Sequence, residues 1–222
     1  MLICVFTGLA SGMPFFLLIQ LIPAWLRTSD VSLVDIGLVG LVTLPYSWKF
    51  LWAPLIDRLR LPLGRRRGWM LLTQVALMLS IGCLGFVDPK HQMTLVVVFA
   101  SLIAFLSATQ DVAIDAFRRE ILPDEELGLG NSIHVMAYRI AGFVPGSLSF
   151  VLADHLPWVW VFWITAAFMA VGLMLSLSVT EPEDLSPPAY TLRERVITPF
   201  TEYFQRVGSG TGLLAMLFLV TY

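Results

Sequence analysis

Asp111 and Asp115 lie one helical turn apart in a stretch, Met93–Phe117, otherwise built mostly from Leu, Val, Ile, Phe and Ala, with Gln110 beside them. A carboxylate in hydrocarbon costs from about 3 kcal/mol upward on insertion scales, so a pair of them demands partners and marks a path for ions or substrate. Two basic residues, Lys49 and Arg139, also fall inside apolar stretches. At 1.5 Å rise per residue, Lys49 stands ~12 Å from the stretch end at Asp57 and Asp111 ~9 Å inside Phe117. Arg139 stands ~14 Å beyond the start of its own stretch at Gly130. These depths agree within the error of placing helix ends, so two cations and two anions can meet on one level.

Two chemistries fit such a cluster. One is a set of buried salt bridges that fixes a helix bundle. The other is a proton- or substrate-responsive network on a water-filled cavity, in which a carboxylate that loses its counter-ion takes up a proton instead. Asp111 lies deeper and is the candidate carrier. Asp115 suits either that network or a gate near the mouth, paired with Arg118 or Arg119. Gln20 and Trp48 are candidate contacts for a sugar ring. Trp25 and Trp52, near segment ends, also suit interface anchors. His134 and Tyr138 share a helix face with i, i+4 spacing; the histidine suits a proton relay or plain packing.

These residues need elements that cross a bilayer. The chain is 57% hydrophobic and 14% charged, with a mean hydropathy of +0.80. Apolar stretches long enough for a ~30 Å core recur at Leu2–Leu26, Leu33–Ile56, Trp69–Val87, Met93–Ala116, Gly130–Ala153 and Trp158–Val179. The expected fold is an all-α membrane protein, a six-helix bundle over residues 1–180 whose three-plus-three topology suits an inverted repeat. A linker with amphipathic helices follows over 181–211, where Leu192, Val196, Phe200, Tyr203, Phe204 and Val207 recur at helical spacing. A seventh apolar run occupies 212–222 and rises only about 16 Å, so the chain is expected to be the front part of a longer protein.

Charge placement sets the orientation. Arg58, Arg60, Arg65, Arg66, Arg67, Arg118, Arg119, Arg193, Arg195 and Arg206 fall on one side, against Arg27 and Lys90 on the other. The positive-inside rule puts the first group and the N-terminus in the cytoplasm. No basic stripe suits nucleic acid. Cys4 and Cys83 lie in apolar stretches without metal spacing, and no metal or cofactor is expected. An intramembrane aspartyl protease is excluded because Asp111 and Asp115 share one helix and no Gly-x-Gly-Asp segment occurs.

Asp57-Arg58 followed by Arg65-Arg66-Arg67 resembles the Gly-x-x-x-Asp-Arg-x-Gly-Arg-Arg signature between helices two and three of the major facilitator superfamily. Ala53 replaces the leading glycine and Leu61-Pro62-Leu63 lengthens the spacing. The resemblance implies a gate in which Asp57, Arg58, Arg65 and Arg66 tie a helix end to a neighbouring helix N-terminus. Further segments, in order, resemble the AmpG muropeptide permeases: Gly12-Met-Pro14, Lys49-Phe-Leu-Trp-Ala-Pro54, Gly64-Arg-Arg-Arg-Gly-Trp69, Ser107-Ala-Thr-Gln-Asp111-Val-Ala-Ile-Asp115, Leu122-Pro-Asp-Glu-Glu126, Tyr138-Arg139 and Glu181-Pro182. Acetyl-coenzyme A transporters are more distantly similar over the Thr-Gln-Asp segment. The resemblance implies a bacterial inner-membrane symporter that imports N-acetylglucosaminyl-anhydro-N-acetylmuramyl peptides with protons for cell-wall recycling. Its pathway would lie between two halves, of which this chain supplies the first, and these 222 residues alone are not expected to transport. The alternatives are a related carrier for another amphiphilic anion, such as an acyl-coenzyme A, or a non-transporting assembly subunit.

Overall fold

The computed structural model describes residues 1–181 together with 201, 202, 204–208, 210, 212 and 214. The expected linker helices and seventh run lie largely outside the described residues. By contacts the chain divides into two compact units, Met1–Pro182 and Glu183–Tyr222.

The first unit is a bundle of six helices long and apolar enough to cross a membrane: α1 (Leu2–Thr28), α2 (Leu33–Leu51), α3 (Arg65–Leu84), α4 (Met93–Ile121), α5 (Asp124–Ala153) and α6 (Trp158–Ser178). A short helix, Ala53–Arg58, continues from α2. Hydropathy located each helix but not its ends. α3 begins at Arg65, four residues before the apolar stretch, because polar residues continue the helix beyond hydrocarbon.

Prolines coincide with irregular turns at three places in these helices. A proline cannot donate to the carbonyl four residues back and its ring crowds that carbonyl. For Pro23 that carbonyl lies in a widened π turn, Leu17–Leu21. For Pro45 and Pro54 it lies in tightened 3-10 turns, Gly40–Thr43 and Lys49–Leu51. The second of these turns carries Lys49, so the helix is irregular where its cation stands.

Close approach between α1 and α5 depends on two glycines. A Cβ on Gly8 would strike the backbone carbonyl of His134, and one on Gly12 the backbone of Tyr138. α3 packs against α4 and α6, and α1 also touches α4 and α6. Leu17, Leu21, Ile22, Leu77, Ile81, Ile103 and Phe162 are fully buried in the main core. By contrast α2 contributes little beyond Val39 and Val42, and its Leu33, Val34, Leu38, Phe50 and Leu51 are exposed. Such a helix-wide apolar surface is suited to lipid or to another helical element, not to water.

Candidate functional site

α4 carries the acidic residues and three other helices close around them. Asp111 is buried and Asp115, one turn on, is exposed. Ser11 of α1 donates its hydroxyl proton to Asp111 Oδ1 at 2.5 Å. Its neighbour Ala10 offers a backbone carbonyl that accepts from Gln110 Nε2 at 3.0 Å, so consecutive residues of α4 bond consecutive residues of α1. Lys49 Nζ stands 3.7 Å from Asp111 Oδ2 and 3.8 Å from Asp115 Oδ2, bridging the two carboxylates. Arg118 Nη2 donates to Asp115 Oδ1 at 3.0 Å. Trp52 Nε1 donates to Thr109 Oγ1 at 3.1 Å, which ties the end of the α2 region to α4.

Ser11, Asp111, Asp115 and Arg118 line a cavity of about 570 Å³ together with Asn131, His134, Tyr138 and Arg139 of α5. His134 Nδ1 is 3.2 Å from Thr7 Oγ1 on α1. The common level expected for Lys49, Asp111 and Asp115 is therefore realised. Arg139 corrects the fourfold pairing: it lines the same cavity but forms no ion pair with any described residue. Depth along a helix follows from rise per residue, whereas pairing also needs the right rotation about the axis. Gln20 and Trp48 do not line this cavity. Gln20 Oε1 is buried without a hydrogen-bond partner, packed against Gly146, and Trp48 is exposed.

A second charge cluster sits at the start of α3. Arg66 Nη1 donates to Asp57 Oδ1, while its Nη2 donates to Glu120 Oε1 at 2.8 Å. Arg65 Nη2 reaches the same Glu120 oxygen at 2.8 Å. The carboxylate on the N-terminus of α3 is not Asp57, as the signature had suggested, but Glu181. Its Oε1 accepts from the Arg66 N–H at 2.7 Å and its Oε2 from the Arg67 N–H at 3.0 Å. A carboxylate there satisfies unbonded N–H groups and faces the positive end of the helix dipole. Gly64, at φ +114°, turns the chain into α3 beside that carboxylate, a conformation and a space that exclude a side chain. Arg67 donates from Nε and Nη2 to the carbonyls of Ser176 and Leu177 at the end of α6, at 2.9 and 2.8 Å. Arg58 is exposed and makes no ion pair among the described residues.

Comparison with known proteins decides what kind of bundle this is. The family model of the Major Facilitator Superfamily matches residues 4–222. The chain belongs to that superfamily. Among curated relatives, an uncharacterized protein of Haemophilus influenzae is 49% identical over 226 residues, all of this chain and 53% of its own length. The anhydromuropeptide permease of Escherichia coli K12 is 39% identical over 217 residues, 97% of this chain and 44% of that protein. The putative transporter AmpG 1 of Rickettsia felis is 34% identical over 173 residues, 76% of this chain and 39% of that one. The chain thus spans about half the length of the curated relatives it matches. With six apolar helices and this membership, it is a multi-pass membrane protein of a transporter family.

Ser11, Glu120, Glu181 and Asn131 escaped the sequence reading of the sites. Ser11 lies in the small-residue run Gly8-Leu-Ala-Ser-Gly12, whose smallness signals close helix contact but not which hydroxyl meets an acid.

Proposed function

We propose that this chain is the N-terminal half of a proton-coupled importer of anhydromuropeptides in the bacterial inner membrane, a carrier and not an enzyme. The observation that supports it most is a buried carboxylate, Asp111, held by a lysine at 3.7 Å on the wall of a cavity. That wall belongs to a chain 39% identical to an anhydromuropeptide permease. In this reading residues 1–180 form one wall of the pathway, 181–211 connect it to a second half, and 212–222 begin a seventh span. The N-terminus and the arginine-rich connections face the cytoplasm.

Asp111 carries the proton. Lys49 sits almost equally far from Asp111 and Asp115, so a small movement of its ammonium changes which acid it neutralises. With Lys49 on Asp115, Asp111 has only the Ser11 hydroxyl against it, and protonation removes the cost of an uncompensated charge in a low-dielectric site. Return of Lys49 expels the proton. Asp57, Arg65 and Arg66 form the gate at the cytoplasmic end, and Glu181 holds the start of α3 in place.

Uptake into right-side-out membrane vesicles carrying the full-length protein tests the reading. Labelled GlcNAc-anhydroMurNAc peptide should accumulate when an inward proton gradient is imposed and leak out when it is collapsed. Vesicles that accumulate no muropeptide, while taking up a different amphiphilic anion, would reject the substrate. Accumulation indifferent to the gradient would reject the coupling.

A further inference from the structure

Arg139 lies midway along α5, a helix long and apolar enough to span, and lines the cavity as an exposed side chain with no counter-ion among the described residues. A guanidinium so placed is costly until an anion meets it. Arg118, on α4 and lining the same cavity, adds a second unmet demand. Its Nη2 is engaged by Asp115, but its Nη1 is buried with no hydrogen-bond partner. A buried N–H left unsatisfied is destabilising, and more so on a charged group. Lys49, Arg118 and Arg139 stand against Asp111 and Asp115, so the site holds one positive charge in excess.

One ligand chemistry answers all three facts. A carboxylate is an acceptor-only anion whose two oxygens match the planar fork of a guanidinium, and an ammonium offers no such fork. Asn131, His134 and Tyr138 follow on the same face of α5 at i, i+3 and i+7, giving neutral donors and acceptors for hydroxyls and amides beside the charge. We propose that Arg139 binds a carboxylate of the transported molecule, with Arg118 on the same cavity as a second positive charge. This rests on the importer reading, and for an anhydromuramyl disaccharide the carboxylate is that of the lactyl group.

Binding to the purified full-length carrier tests this without requiring transport. The probes are GlcNAc-anhydroMurNAc with its lactyl carboxylate free and the same disaccharide as its methylamide, alike in size but not in charge. Thermal stabilisation as a function of probe concentration yields the two dissociation constants. The native protein should bind the acid at least about ten-fold more tightly than the amide, worth about 1.4 kcal/mol. Arg139→Gln should bring the ratio close to one, and Arg139→Lys should leave a reduced preference. If Arg139→Gln does not fold, Arg139→Lys carries the test, because a lost fork must lower the ratio. A native protein that binds both probes alike, or variants that keep the native ratio, would overturn the proposal. So would variants that weaken both probes equally, which would assign Arg139 to a carboxylate of the carrier itself. Failure of the importer reading looks different: no proton-driven uptake, whatever the binding ratio.

Discussion

Arg66 and Lys49 both bridge two carboxylates, and they do so in different ways. Arg66 makes direct hydrogen bonds to Asp57 and Glu120 from separate nitrogens of one planar group, and Arg65 adds another to Glu120 at 2.8 Å. Lys49 touches neither of its partners closely: 3.7 and 3.8 Å lie beyond the 2.7–3.2 Å of a formed N–H···O bond. The arginine end is a clamp in which every contact has its own donor. The lysine is a point charge shared by two acids, and shifting it toward one costs little because neither bond is fully made. In one membrane bundle the first arrangement suits holding a conformation and the second suits changing a charge.

The contrast can be broken most sharply at Asp111. In the full-length carrier, Asp111→Asn should reduce gradient-driven accumulation by ~100-fold or more while the amount of protein in the membrane stays normal. Accumulation that remains gradient-dependent would remove Asp111 as the carrier. Loss of folded protein, restored by Lys49→Gln, would instead make the Lys49 cluster structural like the Arg66 one. Next in size is the clamp itself. Arg66→Leu takes the arginine from Asp57 and leaves Glu120 with Arg65 alone, and should cost about 2–4 kcal/mol, less than for a fully buried pair because Arg65 stays on Glu120 and Glu120 is partly solvated. Unfolding in detergent reads this, and Arg66→Lys should recover only part because an ammonium cannot fork.

Ser11→Ala removes a hydrogen bond to a charged group, worth about 1.5–3 kcal/mol, and should show in the pH profile of uptake more than in its maximum rate. An unshifted profile would mean that the Ser11 hydroxyl does not tune Asp111. Glu181→Gln is the smallest change. It keeps an acceptor for only one of the Arg66 and Arg67 N–H groups, sets an amide NH2 against the other and removes the charge at the start of α3, so about 0.5–1.5 kcal/mol of thermal stability should be lost. A loss as large as that of Arg66→Leu would make Glu181 a full member of the clamp.

Much of the acidic site was legible in the chain. Charged residues in apolar stretches are rare enough that Lys49, Asp111, Asp115 and Arg139 stand out, and a fixed rise per residue puts them at one depth. Their pairing was less legible. Arg139 reached the cavity but not an acid, and Asp57 yielded the α3 N-terminus to Glu181, which follows it by more than a hundred residues. Ser11 gives no signal by composition, because a serine between glycines reads as close packing until its partner helix is known.

The residues alone determined the six apolar helices, the level of the buried charges and the prolines where the helices become irregular, since each depends on local hydropathy, rise or backbone chemistry. Only the tertiary structure decided which acid met which base. Rotation of each helix about its axis is set by contacts such as Gly8 and Gly12 against α5 and by the irregular turn under Lys49. A turn of a few tens of degrees exchanges one polar partner for another without altering the hydropathy of any segment.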